Sequence, residues 1–312
     1  MVKLARAWDR FWFTPADPVR IAVIRIVTGL TLLWTHLTTL PDLLDFIGRD
    51  AIVEGEAMRQ LRTATLDPAS ADAGLLRSGD QSLYYYVDQP WLIWTLHIVF
   101  LLALVCFTIG LFSRTASIIV WAGHLSYIQR AVLIYFGFDA VVAMLTFYLM
   151  FAPTGAALSM DSRLTSAAKT RTADVGANVV LRLIQLHICI IYLASGVAKL
   201  FGTTWRSGAA VYNALHMSDV ALLDFARLGG NEHLWIFISK TGSYFTLAAE
   251  IGFPLLVWHR RSRPFALAGI WLLQLGIGVF LYLGSFQAAL FAATLAFVPA
   301  ATFRSSLFQR RI

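Results

Sequence analysis

The chain has 312 residues, 58% hydrophobic and only 14% charged, whereas soluble domains are about 45–50% apolar and about 25% charged; a single water-facing globule of this composition would expose large apolar patches. A mean hydropathy of +0.67 excludes intrinsic disorder, and the two cysteines, Cys106 and Cys189, both inside apolar runs, exclude a disulfide-stapled secreted module. The net charge of +7 comes with no zinc-finger spacing, basic-aromatic patch, GxGxxG or P-loop, so it points to basic loops of a membrane protein rather than to a nucleic-acid partner.

In chain order, residues 1–17 read as an amphipathic helix lying in the membrane interface. Leu4, Trp8, Phe11 and Trp12 fall on one face, Arg6 and Arg10 on another. The run Thr14-Pro15-Ala16-Asp17-Pro18 then breaks it. About 20 apolar residues are needed to cross a bilayer, and eight segments qualify as spans: 20–40, 91–112, 115–135, 138–153, 178–200, 234–258, 265–284 and 286–303. Pro18, Pro90, Pro153 and Pro264 sit at their boundaries. Trp91, Trp94, Trp235 and Trp258 fall where an aromatic belt would. No internal repeat or low-complexity tract occurs. The expected architecture is an all-α polytopic bundle forming one domain, 1–312, with no separate soluble domain.

Basic residues alternate between the connecting loops. Lys3, Arg6 and Arg10 precede the first span, Arg114 follows the second, Arg163, Lys169 and Arg171 follow the fourth, Arg260, Arg261 and Arg263 follow the sixth, and Arg304, Arg310 and Arg311 follow the last. With eight spans all five groups fall on one side. The loop 41–90, with nine acids and four basic residues, falls on the other. Both termini are therefore expected in the cytoplasm and the 41–90 loop outside it. Its tail, Ser82 to Asp88, is expected to pack on the outer membrane surface.

Ionisable side chains within a bilayer are costly and are functional candidates. Arg25 and Arg182, near span ends, are expected to snorkel. His36, His97, His124 and His187 are spread over different helices without an HExxH or a close pair, so no metal site is expected. The fifth span carries Arg182, Gln185, Cys189, Tyr192, Gly196 and Lys199 at i+3, i+4 spacing. A polar stripe of this kind should face the bundle interior, and Gly196 would let a backbone or ligand come close. In the sixth span Ser243, Thr246, Glu250 and Pro254 share a face. Glu250 lies far from either end and must be paired or protonated. Glu250, Gln185 and His187 also suit a structural polar core.

Several of these runs resemble the horizontally transferred transmembrane (HTTM) family, which is related to the membrane portion of vitamin K-dependent gamma-carboxylase. They are Phe11-Trp12-Phe13, then Pro18 and the run Arg25 to Leu30; Gly137-Phe138-Asp139; Ile191 to Leu200 followed by Trp205 and Gly208; and Glu250 to Pro254. The resemblance implies that Lys199 is the base that deprotonates a reduced, vitamin K-like quinone. Oxygen then makes a stronger base, which takes a proton from glutamate before carbon dioxide adds, a lyase-type carboxylation. It further implies that Asp139 tunes Lys199, that Tyr192, Gly196, Trp205 and Arg206 line the quinone pocket, and that membrane lipids and a peptide or small molecule are partners. The position near Asp139 is not the histidine of the carboxylase, and Gln274 stands where the resemblance would put a more basic residue. Three readings stay open: a quinol- or lipid-dependent enzyme, a non-catalytic membrane binding protein, and a transporter, for which the buried charges trace no continuous path.

Overall fold

A computed structural model describes residues 2–58, 60, 82–131, 134–164, 173–216 and 232–308. The centre of the 41–90 loop and Lys169, Arg171, Arg310 and Arg311 lie outside the described residues. Among those described, regular structure is helical, with one isolated strand-like bridge between Ala16 and Asp174. The helices are α1 (Val2–Phe13), α2 (Val19–Thr38), α3 (Leu43–Ile47), α4 (Pro90–Ile109), α5 (Ser113–Arg130), α6 (Gly137–Phe151), α7 (Met160–Leu164), α8 (Val175–Phe201), α9 (Thr203–Ser207), α10 (Ala210–Leu215), α11 (Glu232–Leu256), α12 (Arg263–Phe280), α13 (Gly284–Thr294) and α14 (Ala300–Phe308).

Seven of the eight segments expected to span fall mainly on one helix each, whereas the last, 286–303, is divided among α13, a 3-10 turn at Leu295–Phe297 and the start of α14. Four of the helices, α2, α4, α8 and α12, are long and apolar enough to cross a membrane. A 20-residue helix such as α4 is about 30 Å long, the thickness of a bilayer core. Helix α6 and the stretch Gly284–Phe297 are apolar but shorter. Helices α5 and α11 are interrupted by polar groups, Arg114, His124 and Arg130 in one and Lys240 and Glu250 in the other. The chain divides into two compact units, residues 13–180 and residues 1–12 with 181–312, the division falling inside α8.

In the 13–180 unit α2 packs on α4 and α6, and α5 packs on α4 and α6. Gly29 makes the α2–α4 approach possible, since a Cβ there would run into Thr108 and Phe107. Proline at N1 opens α4, and Gly110, at φ +71°, closes it in the left-handed region. Arg25 does not snorkel as its position suggested. It is fully buried and donates to the carbonyls of Thr154, Leu158 (2.6 Å) and Thr108 (3.5 Å). The guanidinium is held because these loop carbonyls would otherwise be orphaned in an apolar interior. Arg130 does the same, donating to Gly48 (2.9 Å) and Val53 (3.2 Å) carbonyls. Asp161 accepts the N–H groups of Phe112 (2.9 Å) and Ser113 (2.8 Å) and so caps the start of α5. Burial alone would raise the Asp161 carboxyl. Hydrogen bonds from Ser113 and Phe112, with the charge of Arg25, outweigh burial and hold it below the ordinary carboxylate range.

The Ser82–Asp88 tail packs partly inward, not simply on an outer surface. Tyr84 is buried with Leu43, Ile47 and Ile93. Ser82 donates to the Ser126 carbonyl (2.7 Å) and Tyr85 to that of Gln129 (3.0 Å), which covers the open end of α5. Burial pushes the Tyr84 phenol up to about 12, against the opposing hydrogen bond with Tyr127.

In the second unit α11 is central, packing against α9, α10 and α12, while α12 packs on α13. Tyr192, Phe253, Phe297 and Trp258 form a chain of edge-on ring contacts through its core. Gln185 donates to the Ala296 carbonyl (2.7 Å), tying α8 to the turn after α13.

Candidate functional site

The six-residue stripe of α8 meets protein along its length, as a polar stripe in an apolar helix must. Gln185, Cys189, Tyr192 and Gly196 are buried and Arg182 and Lys199 half-buried. A Cβ on Gly196 would lie 2.7 Å from Ile251 Cγ1 and 3.2 Å from the Ile251 backbone nitrogen. Only glycine therefore lets α8 and α11 approach here. One turn further along α8 this approach brings Lys199 against Glu250.

Lys199 Nζ lies 2.8 Å from both carboxylate oxygens of Glu250 and also donates to the Ser195 hydroxyl. Glu250 is 5% exposed, while the Lys199 side chain is 24% exposed. Pro254, four residues after Glu250, removes the N–H that the Glu250 carbonyl would accept in a regular helix. Lys199 stands in the last turn of α8, where the helix dipole favours a cation. The chain then turns at Gly202, and Trp205 on α9 comes back over the ammonium, ring centre 5.5 Å from Nζ. Two residues singled out independently in the sequence, a lysine and a carboxylate, thus form one neutral pair with a single half-open side.

On the buried side a second set of polar groups continues from the pair. Tyr192 lies within the field of the Glu250 carboxylate, and its hydroxyl accepts from Gln274 Nε2. Gln274 lines a cavity of about 440 Å³ with Trp271, Gly278, Gln287 and Phe291. Among the described residues no charged side chain lines this cavity. Gln274 Oε1 and Gln287 Oε1 are buried there without a hydrogen-bond partner among the described residues. Buried carbonyl oxygens of this kind call for a donor.

The remaining expected residues are placed differently. Asp139 belongs to the 13–180 unit, where its carboxylate accepts the Phe136 N–H (3.0 Å) and caps α6. Arg206 is exposed, and its carbonyl accepts the Tyr244 hydroxyl (3.0 Å). His187 is half-buried on α8 away from the stripe. The histidines are not scattered as expected: His36, His97 and His124 converge with Tyr127, ring centres 4.7 to 6.2 Å from His36. His36, His124, Tyr127 and Asp139 line a cavity of about 260 Å³. Among the described residues no group of three His, Cys, Asp or Glu is arranged to hold a metal.

Sequence reasoning missed Ser195 and Gln287 as members of the site and noted Gln274 only as a substitution. The available signals were Ser195 four residues before Lys199 and two glutamines in otherwise apolar helices. Comparison with known families, characterised proteins and solved structures finds no match.

Proposed function

We propose that the protein is an eight-span membrane protein of HTTM type that acts as a quinol- or lipid-dependent enzyme, with Lys199 and Glu250 as its proton-handling pair. In this reading α1 lies in the interface and both termini are cytoplasmic. The five basic groups, which eight spans would put on one side, support that placement, and the membrane is read as a bacterial inner membrane. The resemblance of the Tyr192 to Trp205 stretch adds the carboxylase-like class of reaction, with a peptide or small molecule as acceptor.

The observation that carries the reading is the Lys199–Glu250 pair, half-open at Lys199, together with a cavity in the same unit that has two open acceptors and whose Gln274 donates to Tyr192 of the α8 stripe. An uncharged ring bearing hydroxyl groups fits that cavity: the walls are apolar, and Gln274 and Gln287 each offer an oxygen to a hydroxyl donor. A reduced quinone supplies an acidic hydroxyl when bound. Gln274 and Gln287 orient it. Glu250 would take up a proton from the bound hydroxyl and Lys199 beside it would stabilise the negative charge, so that no net charge enters the membrane interior. Trp205 shields the ammonium from water.

The test is turnover of a reduced quinone by the full chain in lipid vesicles. Lys199→Met should insert and unfold cooperatively yet lose turnover by about 100-fold, the scale of removing one group that stabilises a developing negative charge. Gln274→Leu should raise KM with little change in kcat. Unchanged turnover in Lys199→Met rejects the assignment. A non-catalytic binding protein is the second reading. It is favoured by the two-pronged geometry, which satisfies lysine and carboxylate without a ligand, and it predicts that the wild-type chain turns over no quinone.

A further inference from the structure

In the unit of residues 1–12 and 181–312, two arginines meet Trp258 at the end of an apolar groove, with no carboxylate paired to either among the described residues. Arg182 donates from Nε to the Phe11 carbonyl (3.2 Å) and from Nη1 to Gln185 Oε1 (2.9 Å). Its Nη2 has no protein acceptor among the described residues, although a guanidinium carries five N–H donors. Arg263 donates from Nε to the Val257 carbonyl (3.0 Å) and from Nη2 to that of Trp258 (3.3 Å), and its Nη1 is uncommitted in the same sense. The two arginines lie within each other's field, and neither has an acidic partner among the described residues. Two like charges that feel each other repel unless an anion joins them.

The groove beside them is about 290 Å³ and is lined by Phe11, Leu186, Ile190, Leu193, Pro254 and Trp258 together with Cys189. The Arg182 guanidinium sits 4.4 Å over the Phe11 ring and 6.0 Å from the Trp258 ring centre. The groove therefore begins at the cations and runs along α8 from Leu186 to Leu193, about 10 Å at 1.5 Å per residue. Its outer wall is open: Ile190 and Leu193 are exposed on a helix apolar enough to cross a membrane.

We propose that this is a binding site for an anionic phospholipid, its phosphate held between Arg182 and Arg263 and one acyl chain lying in the groove. A phosphate offers the planar guanidinium two oxygens in the geometry it prefers. The aromatic rings of Phe11 and Trp258 lie between the Arg182 guanidinium and the apolar groove, the arrangement that suits a boundary between headgroup and hydrocarbon. Free phosphate would use the cations but leave the apolar groove empty, and a zwitterionic lipid would fill the groove but bring its own cation to the two arginines. The site also explains why Phe11 of α1 is fixed on Arg182: the lipid, α1 and α8 share one surface. It does not depend on the chemistry at Lys199.

The experiment is native mass spectrometry of the full chain, extracted in mild detergent and offered equal amounts of phosphatidylglycerol and phosphatidylcholine of the same chain length. The wild-type protein should retain phosphatidylglycerol preferentially. Arg182→Gln and Arg263→Gln should each weaken it about fivefold, the effect of one cation beside an anionic lipid, and the double variant should lose the preference. Arg182→Lys should keep most of it. Leu193→Trp, at an exposed position, should weaken retention by blocking the groove while leaving the fold intact. Equal retention of the two lipids by the wild type would overturn the proposal, as would an unchanged preference in the double variant. Inorganic phosphate that raises the unfolding temperature as much as phosphatidylglycerol would overturn the choice of a lipid.

Discussion

Residues 13–180 bury two arginines, Arg25 and Arg130, against main-chain carbonyls, whereas residues 181–312 bury a carboxylate, Glu250, against a lysine. The two solutions satisfy the same demand, that no polar group be left alone in an apolar interior, but they have different consequences. A guanidinium on carbonyls keeps its charge and ties loop to helix, as Arg25 ties the 154–158 segment to α2. Such a group is a staple and does not exchange protons. A lysine against a carboxylate is neutral as a unit and contains a proton that can move. Chemistry is therefore expected at the second pair and rigidity at the first.

The largest expected effect comes from breaking that second pair on one side only. Glu250→Leu leaves the Lys199 ammonium without its counterion and should cost about 3–5 kcal/mol, read as a lower midpoint in denaturant unfolding of the detergent-solubilised protein. Arg25→Met tests the staple. It strands three carbonyls and should cost about 3 kcal/mol, roughly 1 kcal/mol for each, with no effect on quinone turnover. If Arg25→Met abolished turnover at unchanged stability, the contrast between the two regions would be wrong. Gly196→Leu sharpens the comparison from the packing side. It forces α8 away from Ile251 and should cost about 1–3 kcal/mol as overpacking, and it should reduce turnover along with stability because Lys199 is carried away from Glu250.

The smallest effect is one of pH. Asp161 has a lowered carboxyl in the folded protein, so the stability it adds is complete above the ordinary carboxylate range and is lost as pH falls through its folded value. Unfolding midpoints should decline over that acid interval in the wild type, by about 1 kcal/mol for a charged helix cap, and the decline should be smaller in Asp161→Asn.

How far the sequence could be read follows from which of these relations are local. The helical class and the four membrane-length helices α2, α4, α8 and α12 were legible because a helix needs only its own residues to be apolar over its length. The α8 stripe was legible because i+3, i+4 spacing fixes a face. Spacing identifies a face but not the neighbour on it, so Lys199 and Glu250 were found separately and their pairing was not. Arg25 was misplaced for a related reason: a position near a helix end looks like a snorkelling site until the loop that folds over it is known. The histidines seemed scattered because His36, His97 and His124 come from three helices, α2, α4 and α5, and converge only when those helices pack. Gln274 and Gln287 carry no motif; their unpartnered oxygens become visible only when the cavity between α12 and α13 is formed.

The most direct measurement is a double-mutant cycle across the ion pair, with unfolding free energies of the wild type, Lys199→Met, Glu250→Leu and the double variant in one detergent. Interdependence requires a coupling of about 2 kcal/mol or more, with the double variant more stable than Glu250→Leu alone. Effects that add within about 0.5 kcal/mol would mean that lysine and carboxylate are independent, and the proton-handling pair would not exist.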